Sequence, residues 1–175
     1  MNSGSITQQA GFTIIELMIV ATIAGILLAV SAPAFQNVIS RTVVNSQTRT
    51  LLTAINYTRS EAIRRNIPVT LCASSNGSSC DADSWSDGWL VMADGNGGAD
   101  EVLRVYEGPG SGSTVTFDAG DDVLAYDGMG FSRSTDASRQ FVVCPADNDA
   151  DNAQGIAISP TGRASRVRDG LGCGS

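Results

Sequence analysis

The chain has 175 residues, with 11 basic and 18 acidic side chains, four cysteines, 19 glycines and no histidine. Every basic residue is an arginine, so the chain itself supplies no imidazole base, histidine-ligated metal, Schiff-base amine or phosphate-loop lysine. A net charge of −7 and a pI near 4.4 speak against a generally basic nucleic-acid binder, and the length suits one domain with an appended segment rather than a multidomain enzyme.

Charge sorts the chain into four zones. Residues 1–11 carry none, residues 12–65 carry a net +3, residues 66–158 a net −12 and residues 159–175 a net +2. These read as a short leader, a helix, an acidic globular body and a slightly basic tail.

The first element is the apolar run FTIIELMIVATIAGILLAVSA, Phe12 to Ala32, in which Glu16 is the only charge. As a helix it spans about 30 Å, enough to cross a bilayer. A removable secretory signal is the competing reading. Against it, no basic region precedes the run, the run exceeds the ~7–15 apolar residues of such signals, and Pro33 directly follows the small-residue cleavage site at Val30-Ser31-Ala32. An acid at mid-membrane costs about 2.5–3.5 kcal/mol and less near an end, so Glu16 calls for a partner. The nearest cation is an α-amino group at Phe12, if the chain is cut after Gly11; the alternative is a Glu16 that simply lies at the membrane surface.

Past Pro33 the helical period resumes. Val44, Leu51, Ile55 and Ala62 share one face, with Thr48 and Thr58 or Arg59 at the intervening turns, and Glu61 and Arg65 form an i, i+4 surface pair on the other. The helix should end near Asn66, because Pro68 restricts Ile67 to extended geometry. Short β runs follow, at Val69 to Ala73, Gly88 to Met92, Glu101 to Tyr106, Ser113 to Phe117, Asp122 to Tyr126, Gln140 to Cys144 and Gly155 to Ser159. ADGNGGAD reads as a hairpin connection between the second and third. Antiparallel strands without a βαβ rhythm predict an α+β fold, with a long N-terminal helix (12–66, membrane-spanning over about 12–32) packed on an antiparallel sheet or sandwich head (67–175).

The string QAGFTIIELMIVATIAGILLAVSAPAF resembles the N-terminus of type IV prepilins and type II secretion pseudopilins. The resemblance implies that a prepilin peptidase removes residues 1–11 by cutting between Gly11 and Phe12 on the cytoplasmic side, then methylates the Phe12 amine. It also implies that Glu16, then the fifth residue, pairs with an N-terminal amine to align subunits during assembly, and that Pro33 kinks the helix. The leader MNSGSITQQAG departs from the family in having no Lys or Arg. The orientation with the N-terminus in the cytoplasm therefore comes from the resemblance and not from the positive-inside rule.

YTRSEAIRRNIPVTLC, DGWLVMADGNGGADEVLRVYE and ISPTGR together resemble the GspH and FimT/FimU subgroup of minor pilins. What this implies is a structural subunit with no reaction, no catalytic residue, no cofactor and no small-molecule substrate. Its partners would be other pilin or pseudopilin subunits, prepilin peptidase and inner-membrane lipid. It would sit as a single-pass protein of the bacterial inner membrane with its head in the periplasm, then enter a filament. The leading expectation is a minor pilin that primes or caps a type IV pilus, ahead of a GspH minor pseudopilin of type II secretion and a FimT-like DNA-binding pilin.

Four cysteines allow three connectivities. The expected one joins Cys72 to Cys80, a local loop, and Cys144 to Cys173, which ties the tail to a strand; the chain-entropy model assigns these about 2.5 and 3.6 kcal/mol. A four-cysteine zinc site is the rival, without any C-x₂-C pair to support it. Two acidic loops, one with Asp147, Asp149 and Asp151, the other with Asp94, Asn96, Asp100 and Glu101, are read as solvated tips; the first lacks the turn glycine and closing glutamate of a calcium loop, and no metal ligand is assigned. Arg163, Arg166 and Arg168 in the tail are the candidate DNA contacts. They depart from the Gly-Arg-x-Arg arrangement of DNA-binding relatives, because Gly162-Arg163 is followed by Ala164 and Ser165.

Overall fold

The computed structural model describes residues 12–95, 97–118, 123–133 and 139–173, with the backbone alone over 30–37. The leader, Gly11, Asn96 and Asp122 lie outside the described residues. One helix, α1 (Ile14–Arg65), is followed by eight strands: β1 (Val69–Ala73), β2 (Gly88–Ala93), β3 (Glu101–Glu107), β4 (Ser113–Asp118), β5 (Val123–Tyr126), β6 (Arg139–Pro145), β7 (Gln154–Ile158) and β8 (Ala164–Val167). The chain divides into two compact units, Met1–Val38 and Ile39–Ser175, so the C-terminal part of α1 belongs with the strands.

In the first unit the described side chains, residues 12–29 and 38, are all exposed. The helix assignment continues through Pro33 without a break. Among the described residues no helix is long and apolar enough to cross a membrane. The described apolar part, 14–29, is about 24 Å of helix, and the expected span continues into residues of which only the backbone is described.

In the second unit the strands form two antiparallel four-stranded sheets, β3-β2-β1-β5 and β4-β6-β7-β8. The apolar face of α1 closes against them. Val44, Leu51, Ala54, Ile55 and Ala62 are fully buried in one cluster with Leu71, Trp89 and Tyr126 of the first sheet and Phe141, Val143 and Ile156 of the second. Thr48 and Thr58 are equally buried within this face. Their hydroxyls donate to the carbonyls of Val44 and Ala54, so no polar group is left unmet by their burial. Between β1 and β2, Trp85 sets its edge on Phe117 at 5.6 Å and on Phe141 at 4.7 Å, and these two rings stack at 4.0 Å. The helix stops as its sequence requires: Asn66 takes φ 54°, the left-handed conformation that ends a helix, just before the Ile67-Pro68 restriction.

Two readings of the sequence need correction. The tail contains an eighth strand, β8, paired with β7; its four residues, Ala-Ser-Arg-Val, have too little apolar alternation to announce it. The Glu61–Arg65 pair is not a surface pair, since Glu61 is buried and receives hydrogen bonds from both Arg64 and Arg65. Those two guanidiniums, Arg64's first, hold the Glu61 carboxyl below its ordinary value of 4.5 against the opposing effect of burial. Arg65 also reaches Glu101, which ties the end of α1 to the start of β3.

Candidate functional site

The site begins at the first turn of α1. Thr13 precedes the helix, and its hydroxyl accepts the Glu16 N–H at 3.4 Å. Thr-x-x-Glu is a capping-box spacing, a signal present in the sequence that the reading of Glu16 as an assembly residue passed over. Glu16 is exposed, and its carboxylate has no partner among the described residues. An acid at this end of a helix is favoured by the helix dipole. Around it stand Phe12, Ile14, Ile15, Leu17, Met18 and Ile19, each more than half exposed. The first two turns thus expose apolar side chains on all sides, with a single charge among them.

At the far end of α1, ISPTGR acts as a fastener. Ser159 and Arg163 exchange backbone and hydroxyl hydrogen bonds across the turn. Arg59 donates to the carbonyls of Gly130 at 2.9 Å and Thr161 at 3.1 Å, joining the helix to two loops. Gly162 has φ 80°, and a Cβ there would lie 2.1 Å from the Gly130 carbonyl oxygen, so the close approach needs glycine.

The three tail arginines are all exposed. The Arg163 side chain is exposed at the turn, and Arg166 lies in β8 opposite the buried Ile156. Arg168 lines a cavity with Arg41 of the helix. The cysteines are joined as Cys72–Cys80 and Cys144–Cys173, with Cα separations of 5.6 and 5.8 Å. The second disulfide draws Leu171 onto Val142 and Ala153 in a small separate cluster.

The acidic loops use their carboxylates on neighbouring donors. Asp149 accepts from the Asp151 N–H and the Asn152 amide, and Asp100 accepts from the Gly95 N–H. Glu101 pairs with Arg65. Among the described residues no three acidic or cysteine side chains gather to hold a metal.

A capped apolar helix whose C-terminal part is the spine of a two-sheet, disulfide-bonded head defines the class of type IV pilin-like proteins. Two family models match: the prokaryotic N-terminal methylation motif over residues 6–32 and the type II transport protein GspH over residues 47–162. The second covers well over half of the chain, which belongs to the GspH family of minor pilins and pseudopilins, a family of structural subunits.

Among solved structures the fold is similar to the type IV minor pilin FimU of Pseudomonas aeruginosa, with a TM-score of 0.59 and 21% identity over 71% of this chain and 88% of that one. It is also similar to the minor pseudopilin EpsH of the Vibrio cholerae type 2 secretion system, with a TM-score of 0.53 and 10% identity over 73% and 98%. A curated relative, the type IV major fimbrial protein FimA of Dichelobacter nodosus, is 52% identical over 50 residues, 27% of this chain; the match spans about a third of the relative's length.

Proposed function

We propose that this chain is a minor pilin that is cut by prepilin peptidase between Gly11 and Phe12, methylated on the Phe12 amine, and held in the bacterial inner membrane by residues 12–32 with its head in the periplasm. It then enters a type IV pilus through its N-terminal helix, priming or capping the filament. In this reading Glu16 neutralises an N-terminal amine within the filament, and Pro33 sets the bend at which the helix leaves the membrane. The observation that carries it is the methylation-motif match over residues 6–32, which contains Gly11, Phe12 and Glu16 together.

The test is intact-mass analysis of the membrane-extracted protein. Loss of residues 1–11 with gain of one methyl group is expected, and Gly11→Val should prevent both. A methylated, shortened chain from that variant would overturn the reading. The GspH match supports a second role, a minor pseudopilin of type II secretion. Immunolabelling of sheared surface pili separates the two, since only the pilus role places the head on them.

A further inference from the structure

The loop between β1 and β2 carries an Asn-Gly pair, Asn76-Gly77, inside the ring closed by the Cys72–Cys80 disulfide. Asn-Gly is the dipeptide most open to succinimide formation, because glycine leaves its backbone nitrogen unshielded. In that reaction the Gly77 nitrogen loses its hydrogen to water, bonds to Asn76 Cγ and expels Nδ2 as ammonia. A second water then opens the ring at either carbonyl and leaves aspartate or isoaspartate.

In the folded loop each reacting group is engaged. The Gly77 N–H donates to Ser74 Oγ at 3.0 Å. Asn76 Oδ1 accepts from the Ser78 N–H at 2.7 Å, the Ser79 N–H at 3.0 Å and Ser78 Oγ at 2.8 Å, and its Nδ2 donates to Ser79 Oγ at 2.8 Å. Hydrogen bonds to Oδ1 alone would assist attack on Cγ. Ring closure, however, destroys both the Gly77–Ser74 and the Asn76–Ser79 bond, and the two backbone donors fix the amide in place. Gly77 itself sits at φ 69°, where a Cβ would press on Val105 at 3.2 Å.

The brace is anchored at two points. Ser74 is buried and donates to Asp81 Oδ1 at 3.3 Å, and the Asp81 carboxylate also receives the Ser75 N–H at 3.0 Å and the Ser75 hydroxyl at 2.9 Å. Next to Asp81, the disulfide joins exposed Cys80 to buried Cys72. We propose that Asn76 is a covalent modification site guarded by this loop. When a dithiol reduces Cys72–Cys80 and is itself oxidised to a disulfide, the brace opens and Asn76 is converted through the succinimide. The product is a lasting record of reduction: a new carboxylate replaces the amide that donated to Ser79, and in the isoaspartyl form an added backbone methylene prevents the turn from closing again.

The test follows Asn76 by peptide mapping with isoaspartate detection, in the full chain held at mildly alkaline pH. Conversion in the intact protein should be about tenfold or more slower than in the urea-unfolded chain, as protection by a closed loop requires. Cys72→Ser/Cys80→Ser should speed it by about tenfold or more, and Ser74→Ala by about fivefold, with folding of each variant checked by tryptophan fluorescence. Cys144→Ser/Cys173→Ser opens the other disulfide and should leave the Asn76 rate unchanged until dithiothreitol is added, when the one remaining disulfide is reduced and the rate rises. Equal rates in the intact and unfolded chains, no acceleration in either loop variant, equal acceleration on opening either disulfide, or a product without isoaspartate would each overturn the proposal.

Discussion

The two compact units of this chain treat apolar side chains in opposite ways. In the head, Leu51, Ile55, Trp89, Phe141 and Ile156 are fully covered by their own chain, while in the N-terminal segment Ile14, Met18, Leu28 and their neighbours are all exposed. The difference does not lie in the mere presence of aliphatic side chains, since both segments of α1 carry them. It lies in what the rest of the sequence offers. Residues 44–62 have two sheets on which to close, whereas residues 12–29 bury no side chain among the described residues, and in the proposed reading their cover comes from lipid or from other helices. The head is therefore a stability problem and the N-terminal helix an association problem, and mutations in the two should fail in different assays.

The largest expected effect is in the head core. Phe141→Ala removes a ring that packs on Trp85 and Phe117, and should cost about 3–5 kcal/mol in denaturant unfolding followed by tryptophan fluorescence. Replacing both Cys144 and Cys173 with serine should cost about 3.6 kcal/mol, against about 2.5 for Cys72 and Cys80, because the longer loop regains more freedom when unfolded. An equal loss for both pairs would mean that strand and tail contacts, and not loop length, set their worth. Gly162→Ala should cost about 1–3 kcal/mol, since it places a Cβ against the Gly130 carbonyl at a positive φ; unchanged stability would show that the Arg59 fastener can give way.

A smaller effect concerns acid. The folded Glu61 carboxyl titrates below its ordinary value, so its stabilising contribution is complete above about pH 4.5 and is lost as the pH falls through the lowered folded value. Because Arg64 is largely exposed, the contribution should be no more than about 1 kcal/mol. Glu61→Gln should therefore flatten the acid limb of a stability-against-pH curve. An unchanged limb would assign acid lability to other carboxylates.

The smallest effect on stability should come from the N-terminal helix. Glu16→Val and Ile19→Ala should leave head unfolding within about 0.5 kcal/mol of wild type, because neither touches the core. Glu16→Val should nevertheless lower the amount of the chain recovered in sheared filaments, while Ile19→Ala removes only one of many apolar contacts and should lower it less. A head destabilised by either substitution would contradict the separation of the two units.

Much of this molecule was legible without coordinates because the signals were local. The apolar run and its single acid, the helix stop at Asn66 before Pro68, and seven of the strands all announce themselves within a few residues. The Thr13 to Glu16 cap was equally legible, through its three-residue spacing. Periodicity tells a side chain which face of its own element it occupies, but it says nothing of which element that face will meet. Only the tertiary structure decided that β1 lies between β2 and β5, that β4 pairs with β6, and that the polar segment Ala164–Val167 becomes a strand on the edge of β7. It alone turned Glu61 from a surface acid into a buried one, and brought Arg41 to Asn152 across 111 residues of chain. Such contacts depend on loop closure and on mutual burial of faces far apart in sequence, and neither is encoded in any short window of residues.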